Sequence, residues 1–197
     1  MSRPAVFIDR DGVLNEERAF VYRPEDFVFI PGAIEALRLL QTAGYLLVVV
    51  TNQSGIARGL YTEADYLALS AHMRRNLQAS GIRLDAIEHC PHLPDAPVPG
   101  YRLECDCRKP RPGMLLRAIR TLDIDPQTSF LVGDRLSDVE AGRAAGLTRC
   151  FLVRSGYALS REAIGAADAV YGDLLACARD VLQPAGPGAL PGPADPR

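Results

Sequence analysis

The 197-residue chain is short of three things, and each shortage excludes a class of protein. Long apolar runs are missing: none approaches the roughly 20 residues that a membrane-spanning helix needs, so no membrane partner is expected. A surplus of one charge is missing: 22 Lys and Arg against 24 Asp and Glu leave a formal net charge of −2. Without a basic excess there is no electrostatic case for a nucleic-acid partner, and any charge-based chemistry must be local. Internal repeats are missing as well, and the length suits one domain with a full core. Five cysteines are an odd number, and three of them cluster with one of the three histidines. In a reducing compartment that favours a metal site over disulfides. Met1-Ser2-Arg3-Pro4 runs straight into the first strand pattern and leaves no room for a leader, so a cytoplasmic location is expected. The chain is also expected to be a monomer.

What the chain does have is alternation. Short apolar runs at Val6-Phe7-Ile8, Tyr45 to Val50, Ala86 to Cys90, Ser129 to Val132, Arg149 to Val153 and Ala169 to Tyr171 read as strands. Helical patterns separate them. One opens at Pro31-Gly32 and stops at Gly44. Another is capped by Thr62 with Asp65 three residues on, a third opens at Pro112-Gly113, and a fourth covers Ser137 to Ala145. Shorter helices are expected at Arg161 to Ala167 and after Asp173. Such alternation predicts an α/β fold: a three-layer sandwich around a mainly parallel, Rossmann-like sheet. Residues 1–183 form the single domain. Residues 184–197, with five prolines and three glycines in fourteen positions, read as a flexible tail.

Three strands run into polar signatures. The first meets Asp9-Arg10-Asp11-Gly12, the second Thr51-Asn52, and the fourth Gly133-Asp134 with Asp138 beyond. In a parallel sheet these ends share one edge, where ligands bind. Arg108-Lys109-Pro110, just before a helix, adds cations to the same rim. Each piece has an ordinary reading as a turn, a basic loop or a helix N-terminus. Together, so many carboxylates would repel one another without a divalent cation, and carboxylates with water suit Mg²⁺. One carboxylate able to attack phosphorus, a second able to move a proton, and a cation to neutralise charge suit phosphoryl transfer.

A second cluster lies in the proline-rich stretch from Pro91 to Pro112 and at its edge. Cys90-x-His92 is followed, after twelve residues, by Cys105-x-Cys107. Three thiols and an imidazole match a closed Cys₃His zinc site. The loop is poor in apolar side chains, so a structural Zn²⁺ would supply its order and deliver Arg108 and Lys109 to the rim. A catalytic cysteine with His92 as base is the alternative.

The order Asp9-x-Asp11-Gly-Val, Thr51-Asn52, Lys109-Pro and Gly133-Asp134-x-x-x-Asp138 resembles the four motifs of the haloacid-dehalogenase superfamily of phosphohydrolases. The resemblance covers about residues 5 to 182. It implies Asp9 as nucleophile and Asp11 as proton donor and general base. It implies Mg²⁺ held by Asp9, the Asp11 main-chain carbonyl and Asp134, with Thr51 and Lys109 on the transferring phosphoryl group. Arg10 is expected to point away and to have no role. Thr51-Asn52-Gln53-Ser54-Gly55-Ile56-Ala57-Arg58-Gly59 and the Cys-Pro-His to Cys-Asp-Cys-Arg-Lys-Pro loop are similar to the D,D-heptose 1,7-bisphosphate 7-phosphatase family. That likeness implies loss of the 7-phosphate from a sugar bisphosphate in nucleotide-activated heptose synthesis. It places substrate contacts on Glu17, Arg18, Ala19, Phe20, Asn52, Gln53, Ser54, Arg108 and Arg135. Arg58, Arg108 and Arg135 are candidates for the distal phosphate. With one helix between the first two motifs, no separate cap domain is expected. Ser54 and the length of the zinc loop distinguish the chain from the related histidinol-phosphate phosphatases. Histidinol phosphate or another small sugar phosphate remains the alternative substrate. A phosphotransferase and a non-catalytic phosphosugar-binding protein are the alternative activities.

Overall fold

The computed structural model describes residues 2–183, so the tail expected over 184–197 lies outside the described residues. Six strands form one sheet: β1 (Ala5–Ile8), β2 (Leu46–Asn52), β3 (Ala86–Cys90), β4 (Phe130–Gly133), β5 (Arg149–Val153) and β6 (Ala169–Tyr171). Their order is β3-β2-β1-β4-β5-β6, and every pairing is parallel. From β1 the chain builds outward through β2 and β3, then returns to build β4, β5 and β6 on the other side. The reversal falls between β1 and β4, where an open parallel sheet has a crevice at its carboxyl edge.

The expected three layers follow from the two-residue period of the strands. Val6, Ile8, Leu47, Val49 and Val132 pack toward α1 (Ala33–Thr42), α3 (Glu63–Ala79) and α7 (Leu174–Val181). Ala5, Phe7, Val48, Val50 and Leu131 pack toward α4 (Gly113–Leu122), α5 (Leu136–Ala144) and α6 (Arg161–Ala166). A sheet covered on both faces explains why β1 and β4 are buried at all four positions and read as unbroken apolar runs. The Thr62 hydroxyl and the Asp65 carboxylate cap α3 reciprocally, as their spacing predicts.

The short α2 (Ser54–Ala57) follows β2. β2 runs two residues past its apolar stretch because Thr51 and Asn52 still pair in register with His89 and Cys90. Its polar end is therefore held by the sheet. α1 is the one α-helix between β1 and β2, which leaves the carboxyl edge without a separate cap domain. The long connection from β3 to α4 carries the Cys/His residues and one 3₁₀ turn, Pro99–Tyr101.

Candidate active site

The carboxyl ends of β2, β1 and β4 are neighbours, and their polar residues meet in one cleft of about 530 Å³. Asp9 continues β1, its N–H donating to Val132 O at 3.0 Å. Asp134 follows β4 on the far side of the crevice. A Cβ at Gly12, where φ is +80°, would sit 2.4 Å from an Asp134 carboxylate oxygen, so the motif's glycine makes room for that carboxylate.

Lys109 lies at the bottom, 4% exposed. Its ammonium is 3.0 Å from Asp9 and 2.5 Å from Asp138, and it donates to Val50 O at 2.9 Å. Two carboxylates and one carbonyl thus surround its charge. Asn52 fixes the Lys109 backbone: its amide oxygen accepts from Lys109 N and its amide nitrogen donates to Lys109 O, both at 3.1 Å. Asp138 holds the β4–α5 turn, accepting from the N–H groups of Asp134 and Arg135. Its two oxygens are therefore committed to Lys109 and to the backbone.

Arg10 corrects the expectation that it points away. It is 1% exposed, and its guanidinium folds back onto Asp11. Nε and Nη2 donate to Asp11 Oδ1 at 3.2 and 2.9 Å, and Nη2 also donates to Oδ2 at 2.8 Å and to Val21 O at 3.0 Å. After Asp9 the chain leaves the strand, so strand alternation no longer decides which way residue 10 points.

Glu17, Ala19, Phe20, Thr51, Asn52, Gln53, Ser54, Arg58, Arg108 and Arg135 line the cleft. Arg18 does not: its guanidinium turns outward to pair with Glu16 at 2.6 Å. Ala19 and Phe20 both adopt left-handed backbone, φ +54° and +65°, with Glu17 accepting from Ala19 N at 2.7 Å. Consecutive non-glycine residues there cost about 1–2 kcal/mol each, so the turn is held by its surroundings. Tyr61 and Tyr157 also line the cleft and were not expected from the motifs. Tyr157 lies under the Arg135 guanidinium, 3.7 Å from its ring centre, and its N–H donates to Asp134 at 2.9 Å. Tyr157 follows β5, whose end carries no acidic signature; applying the carboxyl-edge rule to that strand too is the signal that finds it.

The electrostatics are those of a cation site. Burial pushes the Asp9 carboxyl well above the usual carboxylate range; Lys109 opposes this, while Asp138, Asp134 and Asp11 add to it. Burial and Asp138 push Asp134 up to about 6. Although burial disfavours its charge, Asp138 and Asp9 hold the Lys109 ammonium protonated. One oxygen each from Asp9, Asp134 and Asp138 lie within 4.8 Å of one another, a spacing that octahedral Mg²⁺ can span. With Asp138 committed elsewhere, Asp9 and Asp134 are the side chains able to hold it.

Beyond the rim, Cys90, His92, Cys105 and Cys107 converge. Sulfur–sulfur distances are 3.1 Å for Cys107–Cys90, 3.3 Å for Cys107–Cys105 and 3.5 Å for Cys90–Cys105. His92 Nδ1 is 3.4 Å from Cys107 and 3.8 Å from Cys90. Tetrahedral Zn²⁺ with Zn–S near 2.3 Å sets sulfur–sulfur edges of about 3.8 Å, roughly 0.3–0.7 Å longer than these. The sulfurs are too far apart for a disulfide, and all five cysteines are free. Burial pushes the Cys90 and Cys107 thiols up. Cys105 is lowered despite its burial, because the other two thiols and the N–H groups of Arg108 and Cys107 hydrogen-bond to it.

This architecture is that of haloacid-dehalogenase-type hydrolases, and residues 106–177 match the HAD-hydrolase-like family model. The D-glycero-beta-D-manno-heptose-1,7-bisphosphate 7-phosphatase of Photorhabdus laumondii is 48% identical over 171 residues, 87% of this chain and 91% of that one. The enzyme of that name from Escherichia coli K12 is 47% identical, covering 88% and 91%. A crystal structure of D,D-heptose 1,7-bisphosphate phosphatase from B. bronchiseptica, complexed with magnesium and phosphate, superposes with a TM-score of 0.78 at 37% identity. It covers 91% of this chain and 98% of that one. The chain belongs to the D-glycero-beta-D-manno-heptose-1,7-bisphosphate 7-phosphatase family.

Proposed function

We propose that the chain hydrolyses the 7-phosphate of D-glycero-β-D-manno-heptose 1,7-bisphosphate, releasing heptose 1-phosphate and inorganic phosphate. The observation that carries this reading is near-half identity, over most of both chains, to relatives that bear that name. The cleft agrees with it. At about 530 Å³ it suits a sugar with two phosphates, and its lining combines carboxylates with Arg58, Arg108 and Arg135.

An Asp9 carboxylate oxygen attacks phosphorus, and the bond to the sugar oxygen breaks. Asp11 gives its proton to the departing alkoxide. Asp11 then takes a proton from water as that water attacks the aspartyl phosphate, and Asp9 is regenerated. Lys109 holds Asp9 in place and offsets charge beside it. Mg²⁺, held by Asp9, Asp134 and the Asp11 carbonyl, would neutralise charge on the transferring phosphoryl oxygens. Arg58, Arg108 and Arg135 receive the distal phosphate. Cys90, His92, Cys105 and Cys107 would hold a structural Zn²⁺, which would order the loop that delivers Arg108 and Lys109. Residues 1–183 act as one domain, in a cytoplasmic monomer.

The test is phosphate release from both heptose anomers, fructose 1,6-bisphosphate and histidinol phosphate, with Mg²⁺ and then with EDTA. Mg²⁺-dependent preference for the β-heptose substrate is expected, and Asp9→Asn should abolish it without unfolding the protein. Preference for histidinol phosphate would overturn the substrate. Turnover by Asp9→Asn would overturn the nucleophile.

A further inference from the structure

Gln53 falls within the segment expected to touch substrate, yet its side chain is 2% exposed and its hydrogen bonds are all spent inside the protein. Its amide nitrogen donates to Asp11 Oδ2 at 3.0 Å and to Thr51 Oγ1 at 2.8 Å. Its amide oxygen accepts from the Tyr61 hydroxyl at 2.6 Å. An amide has two N–H donors, and both are used here.

The orientation of that amide is fixed from outside. Both Asp11 oxygens accept from N–H donors, Oδ2 from Gln53 and from Arg10, so the NH₂ faces it. Tyr61, donating from the opposite side, makes the flipped amide costly. Tyr61 is itself seated: its ring stacks on Tyr22 with centroids 5.1 Å apart and planes 9° apart. It passes so close to the α2 backbone that a Cβ at Gly55 would lie 2.1 Å from the ring. On the other flank of Asp11, Arg10 donates to both carboxylate oxygens, and Asn15 donates to Oδ1 at 3.1 Å. The carboxylate is thus gripped from two sides, while Asp11 still lines the cleft.

We propose that Tyr61, Gln53 and Arg10 are positioning residues for Asp11. They hold its carboxylate in the one orientation from which it can pass a proton to the leaving oxygen, and Gln53 is not a substrate contact. This rests on the reading of Asp11 as the proton donor and deepens it. None of the three touches the reacting atoms. Gln53 also ties Asp11 to Thr51, so one amide links the loop after β1 to the end of β2 in addition to the strand pairing.

A misplaced acid hurts an alkoxide leaving group and spares one that departs without a proton. The experiment therefore measures kcat and KM for heptose 1,7-bisphosphate and for p-nitrophenyl phosphate, using Tyr61→Phe, Gln53→Leu and Asp11→Asn as reference. For Tyr61→Phe and Gln53→Leu, kcat/KM on the heptose substrate should fall roughly fivefold or more, the size of one lost hydrogen bond. The loss should lie in kcat, with KM within about twofold and the aryl ester barely changed. Equal losses on both esters, no loss, or a loss carried by KM would overturn the proposal; the last would make Gln53 a substrate contact after all. Should Asp11→Asn itself lack the leaving-group dependence, the proton-donor reading fails instead.

Discussion

The Lys109 ammonium and the Asp138 carboxylate form an ion pair at 2.5 Å with side chains only 2% and 1% exposed. Asp9 is the second anion on the same ammonium, at 3.0 Å. The nucleophile candidate is therefore anchored through a lysine to the turn after β4, and the two sides of the crevice are joined by charge. Removing one partner of a buried pair costs more than the pair contributes, because the other is left uncompensated. Lys109→Met should lose about 3–5 kcal/mol of stability at pH 8, by the usual magnitude for such breaks. Burial already raises Asp9 and Lys109 is what opposes the rise, so the penalty on Asp9 shrinks as pH falls and a proton replaces the lysine. Urea unfolding of Lys109→Met at pH 8 and pH 5.5 checks this; a deficit that grows toward acid counts against it.

Asp9 and Asp134 give the second prediction. Both carboxyls are raised in the folded state, Asp134 to about 6, chiefly by burial. A raised carboxyl makes the native state hold protons that the unfolded chain has released. Its contribution to stability is present at low pH and is lost as pH rises through about 4 to 6. A cation competing for the same oxygens shows the opposite trend. The Mg²⁺-induced rise in melting temperature should be near zero at pH 5 and should grow up to pH 7.5. Asp134→Asn should flatten that dependence. A Mg²⁺ shift independent of pH would place the ion elsewhere.

Arg10 supports a third. Its guanidinium is buried between Asp11 and Val21 O, and Asp11 has a 20% exposed side chain. Arg10→Met keeps most of the volume but removes the charge. It should lose about 2–4 kcal/mol in chemical denaturation, toward the low end for a buried pair because Asp11 retains some water. Arg10→Lys should recover only part, since an ammonium cannot reproduce the two-nitrogen fork. Full recovery by lysine would show that charge alone matters there.

Much of this is legible in the sequence, and there is a physical reason why the remainder is not. Strand patterns placed Asp9, Thr51 and Asp134 at strand ends, and parallel pairing alone puts such ends on one edge. The Cys/His spacing likewise announced its own cluster. Directions of side chains beyond those ends were not legible. Arg10 and Arg18 both lie in irregular backbone, where no two- or 3.6-residue period tells inside from outside, and each took a partner in sequence proximity, Asp11 and Glu16. Tyr61 carries no charge and sits beyond the motifs, so only the folded loop reveals that it lines the cleft, whereas Tyr157 follows β5 and the carboxyl-edge rule reaches it.

The cysteine cluster carries the last prediction. Cys90 ends β3 and is fully buried, whereas Cys105 and Cys107 come from the loop just before Lys109. Metal bound there joins that loop to the sheet, and the Lys109 backbone is already clamped to β2 through Asn52. Ligand that binds only the folded state stabilises it by about 4 kcal/mol when free Zn²⁺ exceeds its dissociation constant a thousandfold. For a domain of this size that corresponds to a melting-temperature change of roughly 8–16 °C. Cys107→Ser should therefore lose most of the bound zinc and melt lower by about that range. Turnover by the surviving folded protein should fall as well, because the loop no longer delivers Arg108 to the rim, while Asn52 still clamps Lys109. Cys150, buried on β5 and outside the Cys/His cluster, is the control: Cys150→Ser should perturb stability without changing zinc content. A Cys107→Ser protein that retains one zinc per chain at the original melting temperature would remove the metal from this site. Lost turnover with zinc and stability unchanged would revive the catalytic-cysteine alternative, in which the thiol itself takes part in the reaction.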